Sequence, residues 1–214
     1  MATDTAVSQS ITLKGSAQMV SEFFFYGINN ILYQRGLYPS EMFKRDKKYG
    51  LNLLVTADPK LLKFLEPFVE QVKQWLATKE LHRIVLVVSN VQTCEVLERW
   101  QFDVETDDTA DATAGKENHN SGPKSSRAKS EKEIRQEMGD VMRQITASVT
   151  FLPLLDVPCS FDILTYTRKS TDAPDGWEES GPCIIANSHE VKLRNFSTGV
   201  HQVDAKVSYK ISDT

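Results

Sequence analysis

Histidine, cysteine and glycine are the residues from which a chain most readily builds a metal centre, a nucleophile or a phosphate cradle. Here the four histidines, His82, His119, His189 and His201, stand apart from one another and from the three cysteines, Cys94, Cys159 and Cys183. The spacing contains neither Cys-x-x-Cys nor His-Glu-x-x-His, so no metal site is expected. Gly115-Lys116 lacks the upstream glycine of a phosphate-binding loop, and no Gly-x-Ser-x-Gly elbow occurs. A Cys–His dyad between distant residues is the one catalytic arrangement left open, and a scattered cysteine is usually inert and buried. Asn195-Phe196-Ser197 has the form of a glycosylation acceptor, idle without a secretory signal. Lys116-Glu117-Asn118 matches a degradation-type motif only three letters long. These residues point away from catalysis, and no cofactor is implied.

The totals describe a soluble, intracellular protein. The 214 residues suffice for one good-sized core, with 40% hydrophobic and 25% charged residues, as in a soluble globular protein. A formal charge of -4 gives no basic face for nucleic acid. The longest apolar runs, at 23–26 and 84–88, are far too short to span a membrane. Nothing at the start has the basic-then-apolar layout of a secretory signal. An odd number of scattered cysteines suits a reducing, intracellular compartment.

Around these residues the apolar periodicity predicts a helix over 16–35, carrying Met19, Val20, Phe23, Phe24, Ile28, Ile31 and Leu32, with Gln18, Ser21, Glu22, Asn29 and Asn30 on the other face. A short strand follows at 51–56. Asp58-Pro59 then opens a second helix with Leu61, Leu62, Leu65, Val69, Val72, Trp75 and Leu76. Residues 81–89 read as a strand buried on both faces, and 98–105 as an alternating strand with Trp100, Phe102 and Val104 inward. The stretch 106–133 has no aliphatic residue larger than alanine and no aromatic, and is expected to be a disordered insertion within a single domain spanning 1–214. Ser130 and Glu133 form a capping box for a third helix bearing Ile134, Met138, Met142, Ile145 and Val149. Strands are expected at 159–167 and, as a terminal hairpin, at 191–200 and 202–211, the last with Val203, Ala205, Val207, Tyr209 and Ile211 on one face. Helices and strands do not alternate regularly, so the class is α+β with a mainly antiparallel sheet.

Several long strings carry a resemblance: ITLKGS at 11–16, GINNILYQRG at 27–36, VLERWQFD at 96–103, RQITA at 143–147 with TFLPLL at 150–155, and WEESGP at 177–182. They resemble the HORMA-domain family, in particular its mitotic-arrest-deficient members of the spindle checkpoint, and the likeness runs from residue 11 to about 211. The resemblance implies the HORMA fold: a sheet backed by three helices, with a C-terminal hairpin able to pair at either of two sheet edges. It implies a peptide-binding strand with Cys159, Phe161, Ile163 and Thr165, assisted by Trp75, Trp177 and Glu179. Residues 167–211 would form the safety belt and hairpin. Leu13, Trp100, Val203 and Tyr209 would take part in the switch between open and closed forms. Arg143, Gln144, Thr150 and Phe151 would lie on the face where an open and a closed copy dimerise.

Plainer readings stand beside these. Trp75 serves equally as a core anchor, Trp177 as a loop tryptophan pinned to the body, Leu13 as a core residue, and Arg143 with Gln144 as a solvated helix edge. The partners implied are the checkpoint's coiled-coil kinetochore scaffold, the anaphase-promoting-complex activator, a second copy of the chain, a HORMA-fold adaptor of the closed form and a hexameric AAA+ ATPase. The places implied are nucleus, cytoplasm and, in mitosis, the kinetochore. The alternative within the family is the adaptor subunit of a translesion DNA polymerase.

Overall fold

Helix α1 (Leu13–Gln34) starts where the Thr12 hydroxyl accepts the Gly15 amide, three residues before the expected start, so Leu13 lies in its first turn. It ends at Gly36, whose φ of 64° favours glycine. The computed structural model describes residues 11–107 and 129–211.

On the polar face of α1, Ser21, Asn29 and Asn30 are buried, Glu22 is half-buried and Gln18 is exposed. α1 packs on α2 (Pro59–Ala77), α3 (Glu131–Ala147) and β2 (Leu51–Thr56), and reaches β8 (His201–Lys210) of the main sheet. Buried polar groups need partners. Asn29 donates to the Phe25 carbonyl and accepts the Thr56 amide, both at 2.8 Å, and Asn30 donates to Thr146 Oγ1 at 2.9 Å.

Strand β1 (Phe43–Lys48), whose charged sequence gave no strand signal, pairs with β2 as a separate two-stranded sheet. The turn residues Tyr49 and Gly50 both have positive φ, as a two-residue hairpin turn requires. α2 begins as expected, with Asp58 Oδ1 accepting the Leu61 amide at 2.8 Å and Pro59 in the first turn. It buries Leu61, Leu65, Phe68, Val72, Trp75 and Leu76.

The remaining strands are β3 (Leu81–Asn90), β4 (Val96–Thr106), β5 (Cys159–Thr167), β6 (Ser188–Lys192) and β7 (Phe196–Ser197). With β8 they form a sheet ordered β5-β3-β4-β8-β6, and β7 also pairs with β8. Every pairing is antiparallel. In β3 both faces are covered over 84–88.

Three expectations need adjusting. The insertion expected at 106–133 lies largely outside the described residues, and its margins are ordered: Thr106 ends β4, and α3 starts at Glu131 behind the Ser130–Glu133 capping box. Val149 belongs to a 3-10 turn after α3 and is exposed, and Ile211 lies past the end of β8, also exposed. The first arm of the terminal hairpin is split in two, β6 and β7, because the chain leaves the ladder around Arg194 and Asn195.

Candidate functional site

β5 is the end strand of the sheet and pairs only with β3, setting Ile163 against Leu86 and Thr165 against Ile84. None of its residues is fully buried. Among the described residues no strand lies along its outer side, so those main-chain groups offer a template for an added strand.

Beside that edge runs a cleft of ≈ 460 Å³ lined by Ile163 and Thr165 of β5, Trp75 of α2, and Trp177 and Glu179 of the segment that follows β5. Trp75 is a buried core side chain and also part of the cleft wall. Trp177 is half-buried: its ring stacks on Phe68 at 5.9 Å and meets Trp75 edge-on at 5.1 Å. Glu179 is exposed at the rim.

Cys159 and Phe161 lie outside this cleft, at the start of the same strand. Phe161 packs edge-to-face between Tyr38 and Phe64, at 6.1 and 5.9 Å. Phe64, absent from the sequence reading, is half exposed and extends the aromatic trail along α2. Burial, reinforced by the charge of Glu98, pushes the Cys159 thiol up, which disfavours the nucleophilic thiolate.

The opposite edge of the β3–β4 pair is occupied. β8 runs along β4 with Val203 against Val104, Val207 against Trp100 and Tyr209 against Glu98. This is one of the two sheet edges at which the resemblance lets the hairpin pair. Trp100 and Val203 are fully buried, whereas Tyr209 is half-buried beside the His189 ring. Leu13, far along the chain from this pairing, is half-buried. Behind β4, Glu98 forms a buried ion pair with Arg35 and accepts Trp100 Nε1–H at 3.1 Å. The sequence reading gave neither Arg35 nor Glu98 a role of its own.

On the α3 side, Arg143, Thr150 and Phe151 are exposed, as an interface requires. Gln144 is half-buried, and its side-chain oxygen accepts the Arg194 amide of the hairpin's own loop.

The histidine set aside in the sequence reading turns out to be a structural hub. His201 is fully buried, with Nδ1 2.6 Å from Ser16 Oγ and Nε2 3.2 Å from the Leu76 carbonyl. Burial lowers its pKa, with Lys79 acting the same way and the Leu76 hydrogen bond opposing. Its signal was present: His201 shares the parity of Val203, Ala205 and Val207, the inward face of β8. Ser16 and His201 have the spacing of a nucleophile and base, but neither reaches solvent. Among the described residues no cluster of three or more His, Cys, Asp or Glu side chains could hold a metal ion.

A sheet with one edge closed by the terminal hairpin and the other open beside an aromatic cleft is the architecture expected of a HORMA protein. The HORMA domain model matches residues 16–201. The human mitotic spindle assembly checkpoint protein MAD2A is 54% identical over 99% of this chain and 98% of its own length. The Dictyostelium discoideum protein named likewise is 49% identical over 97% of each. A chain in the crystal structure of a mitotic checkpoint complex superposes with a TM-score of 0.80 at 38% identity, over 92% of this chain and 99% of that one. The chain belongs to the HORMA-domain family and, within it, to the spindle assembly checkpoint proteins. These matches favour the checkpoint over the translesion-polymerase adaptor.

Proposed function

We propose that this checkpoint protein works as one non-enzymatic unit that captures a peptide as an extra strand on β5, with Ile163 and Thr165 beneath it and Trp75, Trp177 and Glu179 alongside. The observation that carries the reading is the position of the hairpin. With β8 on β4, the outer side of β5 is unpaired among the described residues, and residues 168–187 pass from that edge to β6 at the far side of the sheet. A peptide lying along β5 is then enclosed by this belt.

The energetics favour enclosure. About six main-chain hydrogen bonds, at roughly 1 kcal/mol net each, barely offset an association cost on the order of 4–15 kcal/mol. Pocket contacts and the belt supply the difference. Moving the hairpin to β5 would cover the same edge and give an open form unable to bind. Two packings of one chain that differ by a few kcal/mol make a slow switch.

The peptides are segments of the coiled-coil kinetochore scaffold and of the anaphase-promoting-complex activator, and capture of the activator delays anaphase. A closed copy recruits an open one through Arg143, Gln144, Thr150 and Phe151. A HORMA-fold adaptor and a hexameric AAA+ ATPase reopen the closed form. The protein acts at the kinetochore in mitosis and otherwise in nucleus and cytoplasm. The likeness to a chain of the mitotic checkpoint complex supports the binding of partner peptides. The test is capture of an activator-derived peptide by the full chain and by a chain lacking its last ten residues. Loss of capture in the truncated chain is expected; undiminished capture overturns the belt.

A further inference from the structure

We propose that Ser16, Thr198 and His201 form a polar latch that is complete only while the terminal hairpin lies on β4, and that this latch sets how long the hairpin stays there. The inference rests on the two-edge reading and adds to it the residues that distinguish one edge from the other.

The atoms of the latch come from two bodies. Ser16, in the first turns of α1, and the Leu76 carbonyl, at the end of α2, belong to the body on which the hairpin docks. Thr198 and His201 belong to the hairpin that travels: they flank the tight turn between β7 and β8, where Gly199 has a φ of 86°. The turn is closed by Thr198 N–H to the His201 carbonyl at 2.9 Å, and by His201 N–H to Thr198 Oγ1 at 2.9 Å.

From that turn two side chains reach into the body. Ser16 Oγ lies 2.6 Å from both Thr198 Oγ1 and His201 Nδ1. The Leu76 carbonyl can only accept, so Nε2 carries the ring proton and donates to it. Nδ1 is then the acceptor, the Ser16 hydroxyl donates to it, and Ser16 Oγ accepts in turn from Thr198. Ser16 and His201 are fully buried, and Thr198 nearly so. Within this network every polar atom of the three side chains has a partner.

The latch differs in kind from the rest of the hairpin's docking surface. Val203, Val207 and Phe196 are buried, but apolar contact has no direction and can be re-formed against another surface. A hydrogen-bond network is directional and fixes one register. When the hairpin departs, Ser16 Oγ loses both Thr198 and His201, while the Leu76 carbonyl keeps the Lys79 amide at 3.2 Å. Leaving one such buried group unpaired shifts an equilibrium by about tenfold or more.

The experiment measures the ratio of the two arrangements and their exchange rate by ion-exchange chromatography of the full chain, with rechromatography over time. Ser16→Ala and Thr198→Val, which delete a hydroxyl at little change in volume, should each shift the ratio away from the β4-docked form about tenfold and speed departure by a similar factor. Thr198→Ser keeps the hydroxyl and should behave as wild type. Asn29→Ala serves as a control. Its side-chain partners are the Phe25 carbonyl and the Thr56 amide, both outside the hairpin, so it should lower the melting temperature and leave the ratio unchanged. Two wild-type species with Ser16→Ala and Thr198→Val unchanged would overturn the latch and spare the switch. A single wild-type species, with or without activator-derived peptide, would sink the switch and the latch together.

Discussion

Trp177, in a segment without regular structure, lies nearly parallel to Phe68 of α2, with ring centroids 5.9 Å apart and planes at 17°. The stack, with the edge contact to Trp75, pins the segment that follows β5 to the body beside that strand. Aromatic pairs contribute about 0.5–1.5 kcal/mol beyond their buried area. Trp177→Ala should therefore speed release of a labelled activator peptide about tenfold, while the unfolding midpoint in urea barely moves. Unchanged release measured by fluorescence anisotropy would show that the belt is held elsewhere.

Arg35 and Glu98 are both buried, and Arg35 also donates to the Pro153 carbonyl. Deleting one partner strands the other charge. Glu98→Ala should cost about 3–5 kcal/mol in denaturant unfolding. The double variant Arg35→Met with Glu98→Leu should recover most of that loss. If the double variant is no better than Glu98→Ala, the penalty lies in packing and not in the unpaired guanidinium.

His201 links stability to pH. Burial, with the Lys79 charge, holds its folded-state pKa below the usual histidine value. The stabilisation from keeping the ring neutral is complete above about pH 6.5 and is lost as pH falls from there through the depressed value. The stability difference between wild type and His201→Gln, taken from urea melts, should therefore shrink from pH 7.5 to pH 5.5. A difference that stays constant or grows would mean that the ring does not titrate in this way.

Arg143 pairs with Asp140 one helical turn away, both at the surface, an interaction worth less than about 1 kcal/mol. Arg143→Ala should leave the melting temperature nearly unchanged. If this face joins two copies, sedimentation should show only monomer for the variant where wild type forms dimers. Dimers that persist in Arg143→Ala would place the interface elsewhere.

Much of the fold was legible because periodicity and capping speak locally. Asp58-Pro59, Ser130 with Glu133, and the unbroken apolar run at 84–88 each announce their element. β1 was not legible: Phe43–Lys48 is an exposed, charged strand that exists because β2 pairs with it. The burial of Ser21, Asn29 and Asn30 was not legible, because a single helix pattern cannot show that neighbouring elements enclose it. Two further clues lay in strand parity. Glu98 falls on the same side of β4 as Trp100 and Phe102, and His201 on the same side of β8 as Val203. A charge or an imidazole at an inward position needs a partner, and the chain's periodicity cannot say which one. Of the candidate site, Ile163, Thr165, Trp75, Trp177 and Glu179 come together around one cleft, whereas Cys159 and Phe161 sit farther along the strand.

The belt has one end continuous with β5 and the other anchored by β8, so a captured strand would be threaded through a ring that opens only when the hairpin detaches. Residence time would then be a property of the host. Ligands of quite different intrinsic strength would arrive and compete according to their own contacts, yet leave on a shared clock, the one set by the ring's clasp.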